Sequence, residues 1–181
     1  MRVYKRDEAC GFRFTNAPWG EFSNFAPLAA PIAAGPWTFR TSEALYQAAK
    51  FGAAPAVQRR IAGAPSPRAA AAIGRGTAAG LDPLWTAQRV NVMRWVLRMK
   101  REANAAEIDA ALAATGDRPI VEVSTRDDWW GAKPWGHTCR GHNVLGRLWM
   151  ELRQQLRDGD PGARAAAWIG RIDVGRLSGA P

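Results

Sequence analysis

Apolar residues recur at helical spacing through the middle and end of the chain, whereas the stretch before about residue 40 is broken by glycine, proline and aromatics. Val90, Met93, Val96 and Leu97 share one face of a helix predicted over 83–102, which Asp82-Pro83 opens. Leu145, Leu148, Trp149, Leu152 and Leu156 repeat that pattern from about residue 143. Ser66-Pro67 joins a capping hydroxyl to the residue best tolerated at the first helical position, so a helix starts there and ends at Gly74 or Gly76. Thr41 or Ser42 caps a further helix, and Asn104 with Glu107 resembles a capping box. A short helix is expected over 165–169. PIVEVS (119–124) reads as a strand, and PLAAPIAAGPWTF (27–39) as strand-turn-strand with its turn at Gly35-Pro36. DDWWGAKPWGHTCRGHN (127–143) reads as a long aromatic loop. The expected fold is α+β, a mainly helical single domain with a small sheet over 1–160, followed by a tail over 161–181.

Length changes this picture little: 181 residues suffice for one substantial core. No apolar run is long enough to span a bilayer, and no apolar segment follows the charges of MRVYKRDEACGFRF. A reduced, cytoplasmic setting without membrane attachment is therefore expected, with Cys10 and Cys139 as thiols. Charge changes it more. Twenty-five Lys and Arg against sixteen Asp and Glu leave a formal charge of +9, a field that attracts phosphate-bearing partners.

Glu43, Tyr46, Gln47 and Lys50 fall near one face of the helix within TSEALYQAAKF (41–51). A carboxylate in the first turn and a lysine further on also suit the helix dipole, so this spacing alone favours surface dressing. The 127–143 segment gathers Asp127, Asp128, Trp129, Trp130 and Trp135 among glycines, which suits either packing under the loop or stacking on a planar ligand. His137, Cys139 and His142 lack the spacing of a zinc site, and no metal is expected. Neither a P-loop, nor a dinucleotide-binding GxGxxG, nor a GxSxG elbow is present.

Taken in order, several stretches resemble the YbiA-like, or NADAR, superfamily: WGEFSNFAP (19–27), TSEALYQAAKF, SPRAAAAIGR (66–75), the tryptophan of DPLW at Trp85, and MRWVLRMK (93–100). ATGDRPIVEVS (114–124), DDWWG (127–131) and GHNVLGRLWMELR (141–153) complete the series. The resemblance implies a YbiA-like fold and an N-glycosidase that needs no cofactor. Within the superfamily, SEALYQ, MRWVLR and IVEVS look closer to enzymes that remove ADP-ribose from guanine in nucleic acid, antitoxins opposing an ADP-ribosylating toxin. The partners implied are ADP-ribosylated nucleic acid or nucleotide and a cognate ADP-ribosyltransferase toxin. The alternative group hydrolyses phosphorylated riboflavin-pathway intermediates, and there a histidine is common where this chain has Ala44. A third reading is a basic module that binds ADP-ribose or nucleic acid without catalysis.

The resemblance also assigns roles. Glu43 is an expected active-site carboxylate, and Asp127, rather than Asp128, its second. Lys100 is a candidate Schiff-base lysine, weighed equally against a solvated charge near a helix C-terminus. Ser23, Asn24, Tyr46, Gln47, Trp85 and Trp130 are expected to bind substrate, with Asn143 holding the loop beside it.

Overall fold

The computed structural model describes residues 1–169. In chain order the first elements are β1 (Arg2–Lys5), β2 (Cys10–Phe12), β3 (Ile32–Ala34), β4 (Trp37–Phe39) and α1 (Ser42–Ala48). Next come α2 (Pro55–Ala62), α3 (Pro67–Gly76), α4 (Trp85–Ala103) and α5 (Ala105–Ala114). β5 (Ile120–Glu122), β6 (Ala132–Trp135), β7 (Thr138–Gly141), α6 (Val144–Arg157) and α7 (Ala166–Ile169) follow. The fold is α+β and mainly helical, as expected, with small sheets. The chain forms two compact units, Met1–Ala26 with Ala105–Ala163, and Pro27–Asn104 with the segment from Arg164. Most of the expected tail, 170–181, lies outside the described residues.

The unit from Pro27 is built around α1. Thr41 caps this helix, its hydroxyl accepting the Ala44 N–H at 3.3 Å, and every residue from Ser42 to Ala48 is buried. The β3–β4 hairpin pairs Ile32 with Phe39, and both side chains enter the core. Ser66 caps α3 through the Ala69 N–H at 3.1 Å, with Pro67 at the first helical position. Gly74 allows α3 to approach α1 closely, because a Cβ there would run into the Gln47 side chain. Two expectations need correction. α4 begins at Trp85 rather than 83, because Asp82 Oδ1 accepts the Leu84 N–H at 2.8 Å and closes a turn ahead of the helix. Asn104 does not form a capping box: its amide is tied to Ala30, accepting from N–H at 2.8 Å and donating to C=O at 2.9 Å.

The unit containing the N-terminus has a three-stranded sheet in the order β1-β7-β6 and a parallel β2–β5 pair. The hairpin β6–β7 corrects the expectation of an irregular 127–143 loop. Pro134 obscured the strand signal, yet β6 is an edge strand, where a residue without an N–H is tolerated. Trp149 of α6 is fully buried against Phe22, ring centroids 5.2 Å apart, and its indole N–H donates to the Phe22 carbonyl at 2.9 Å. That bond fixes the 3-10 turn Gly20–Phe22, which leads directly into Ser23 and Asn24.

Candidate active site

Burial decides what the face of α1 is for. Glu43 is only 8% exposed and Gln47 4%, so neither is surface dressing. Gln47 Nε2 donates to Glu43 Oε1 at 2.7 Å across one helical turn. Removal from water pushes the Glu43 carboxyl above its ordinary range; the Gln47 hydrogen bond, Lys50 and Arg75 pull it partly back. The buried Gln47 Oε1 has no hydrogen-bond partner and lies against Gly74 of α3.

Aromatic rings and a cation flank this pair. The Tyr46 and Trp85 ring centroids lie 5.0 Å apart at 59°, and Lys50 Nζ stands 5.8 Å from the first and 5.4 Å from the second. Desolvation also lowers the Lys50 pKa, against the pull of Glu43. Trp85 is half-buried at the start of α4 and leaves part of its ring for a ligand. Lys100, near the other end of α4, is 1% exposed, which removes the solvated-charge alternative. Arg98 is fully buried, its guanidinium bonded to the Arg94 carbonyl at 2.9 Å and 4.9 Å from the Trp168 ring. One unit thus gathers Glu43, Tyr46, Gln47, Lys50 and Trp85, and also carries Lys100.

The other expected residues belong to the second unit. Asp127 is exposed, and its Oδ1 accepts the N–H groups of Trp129 at 2.8 Å and Trp130 at 2.9 Å. This carboxylate builds the loop that presents Trp130, which is half-buried against Trp129 with ring centroids 4.7 Å apart at 90°. Asp128 instead meets Lys133 at 3.3 Å, and that contact holds its carboxyl below the usual range. Asn143 is fully buried in a left-handed conformation with φ 50°. Its Nδ2 donates to the Ile120 carbonyl at 2.9 Å and its Oδ1 accepts the Glu122 N–H at 3.0 Å. Both ends of the amide bond to β5, so Asn143 ties the end of the loop to that strand. Ser23 Oγ accepts the Phe25 N–H at 3.2 Å, and Asn24 is 8% exposed.

Cys10 and Cys139 are buried free thiols, each with its pKa raised by desolvation. Among the described residues, no three His, Cys, Asp or Glu side chains gather as metal ligands, and no helix is long and apolar enough to cross a membrane. Sequence reasoning took Gly74 only as a possible end of α3 and missed its part inside the helix, where the lack of a side chain makes room for Gln47.

The site thus sets a buried carboxylate, steadied by an amide, beside two rings and a cation on a mainly helical α+β chain. The NADAR domain model matches residues 11–157, and the chain belongs to the NADAR family. It is 40% identical over 151 residues to the N-glycosidase YbiA of Escherichia coli, covering 83% of this chain and 90% of that one. The solved NMR structure of E. coli YbiA superposes with a TM-score of 0.68 at 38% identity, over 82% of this chain and 86% of that one. The N-glycosidase Npun_R5314 of Nostoc punctiforme is 35% identical over 143 residues, 78% of this chain and 88% of its own. The chloroplastic riboflavin biosynthesis protein PYRR of Zea mays is 34% identical over 86% of this chain but only 26% of its own length.

Proposed function

We propose that the chain is a hydrolase of N-glycosyl bonds that releases ADP-ribose from ADP-ribosylated guanine in nucleic acid, undoing the action of an ADP-ribosyltransferase toxin. Relatives named N-glycosidase support the reaction class. The observation that carries the site is Glu43, a buried carboxylate held by Gln47 beside Lys50, Tyr46 and Trp85. The charge of +9 favours a phosphate-rich substrate over a small neutral one.

Cleavage of a C–N glycosidic bond builds positive charge at the sugar carbon. Ionised Glu43 stabilises that charge or takes a proton from the attacking water, and the lack of surrounding solvent strengthens either effect. Gln47 fixes the carboxylate. Trp85 supplies a face for a planar base, and Lys50 balances nearby negative charge. Lys100 is proposed to condense with the aldehyde of the opened sugar, forming an imine and releasing water, after which hydrolysis restores the amine. Borohydride reduction during turnover, followed by peptide mass spectrometry, would place the sugar on Lys100; the absence of an adduct would remove this step.

The direct test is incubation with a guanine-ADP-ribosylated single-stranded oligonucleotide and measurement of free ADP-ribose. Release that weakens steeply with rising salt supports a nucleic-acid substrate. A second reading, hydrolysis of a phosphorylated riboflavin precursor, draws on the relatives from Zea mays and Vibrio vulnificus named for riboflavin biosynthesis. Turnover of such a precursor, with none of the oligonucleotide, would favour it.

A further inference from the structure

The unit containing the N-terminus holds a cavity of about 290 Å³ that none of the candidate catalytic residues lines. Its size is at the lower end of small-molecule sites, about 300–1,000 Å³, enough for one planar heterocycle with part of its sugar. Tyr4, Ala9, Val121, Val123 and Cys139 supply an apolar floor; Tyr4, Val121 and Cys139 form a packed cluster with Ala132, and Ala9 and Val123 pack against it. Lys5, Arg6, Arg13, Phe14 and Trp19 supply a cationic and aromatic rim.

Three features of this cavity point to its occupant. Tyr4 is 8% exposed, yet its hydroxyl is buried without a hydrogen-bond partner, so the apolar floor contains one unsatisfied polar atom. Trp19 has φ 65°, a conformation bulky residues seldom adopt, and its ring lies parallel to Phe22 within 7°, with the Arg118 guanidinium 5.3 Å from its centroid. Arg13 stands 4.9 Å from the Phe14 ring, and Phe14 is 57% exposed. Lys5 contributes less, being paired with Glu8 at 2.8 Å, whereas Arg6 is bonded only weakly to the Gly136 carbonyl at 3.3 Å. Arginine interleaved with aromatic faces is the pattern by which proteins hold bases and the phosphates beside them. Tyr4, Lys5, Arg6 and Ala9 precede the stretch that matches the family, so this cavity depends on a segment beyond the shared domain.

We infer that this cavity binds one nucleotide unit, its base lying on the aromatic and apolar floor with an edge bonded to the Tyr4 hydroxyl and its phosphate held by Arg6 and Arg13. The inference goes beyond the glycosidase reading and does not use Glu43. Free mononucleotides and residues of a single strand share this chemistry.

Fluorescence anisotropy of a labelled single-stranded oligonucleotide carrying no modified base tests it, since no reaction takes place. The wild-type protein is expected to bind, and Arg6→Gln with Arg13→Gln to weaken binding about tenfold or more and lower the salt slope by about two. Tyr4→Phe is expected to weaken it about threefold or more without lowering thermal stability. The exposed control pair Arg60→Gln with Arg68→Gln is expected to stay within about twofold of wild type. Displacement of the strand by mononucleotide at comparable concentration assigns the cavity to free nucleotides, and displacement only by other strands assigns it to nucleic acid. The inference is overturned if no nucleotide or strand binds, if both arginine pairs cost equally, if Tyr4→Phe binds as wild type, or if inorganic phosphate competes as well as a nucleotide. Each of these outcomes leaves the turnover test of Glu43 unaffected.

Discussion

Two carboxylates, Glu43 and Asp127, carry similar weight in the sequence but occupy opposite environments. Glu43 is buried, accepts one side-chain hydrogen bond, and has its pKa raised by loss of water. Asp127 is exposed and binds two backbone N–H groups of its own loop. The contrast teaches that burial can leave the charge of a carboxylate incompletely answered. Where backbone donors answer it, the same group becomes a building element.

Glu43→Gln should break this comparison most completely. It is expected to reduce ADP-ribose release by about 1,000-fold or more, as loss of a group that stabilises transition-state charge does. The same change should raise the melting temperature at neutral pH. A raised carboxyl pKa means that the folded state binds the proton more readily than the unfolded state. The stability contribution of Glu43 is therefore full below the unfolded pKa and is lost as pH rises through the folded one. Calorimetry of both proteins across pH checks this: the difference should be largest above the raised pKa and vanish in acid.

Asp127 offers the next largest effect. Asp127→Ala removes the acceptor for two exposed N–H groups and should cost about 0.5–2 kcal/mol of stability, as loss of a side-chain cap does, seen in denaturant unfolding. Asp127→Asn keeps an acceptor oxygen and should hold activity within about threefold of wild type if the loop is its task. Loss in the Asn variant on the scale of Glu43→Gln would instead make Asp127 the second catalytic carboxylate.

Gln47→Leu sharpens the comparison from within α1. Without its hydrogen bond the Glu43 carboxyl should rise further, moving the acid limb of the pH-rate profile to higher pH, with kcat reduced about tenfold. In the wild type that limb should already lie above the usual 4.5, because Glu43 must be ionised. Lys50→Met should move it in the same direction by less, since the charge of Lys50 acts on Glu43 more weakly than the Gln47 bond.

Much of the fold was legible because it rests on local chemistry. Ser66-Pro67, Thr41 and the apolar stripe of α6 mark elements with residues next to one another in sequence. The β6–β7 hairpin was not legible, since Pro134 and the aromatics hide a register fixed by pairing with β1. Asn104 resembled a cap because its true partner, Ala30, is 74 positions away. The site divided along the same line. The face shared by Glu43, Tyr46, Gln47 and Lys50 follows from helical spacing, but its dryness depends on packing that spacing does not encode. The cavity under β1 left no trace beyond the adjacency of Arg13 and Phe14.

Gly74 has a consequence for inheritance. Every single-base missense change of a glycine codon introduces a residue with a Cβ, and any Cβ at 74 strikes the side chain that holds Glu43. Gly76, two residues along, has open space where its Cβ would stand. In a library covering all substitutions, selected for activity, codon 74 should come back depleted relative to codon 76.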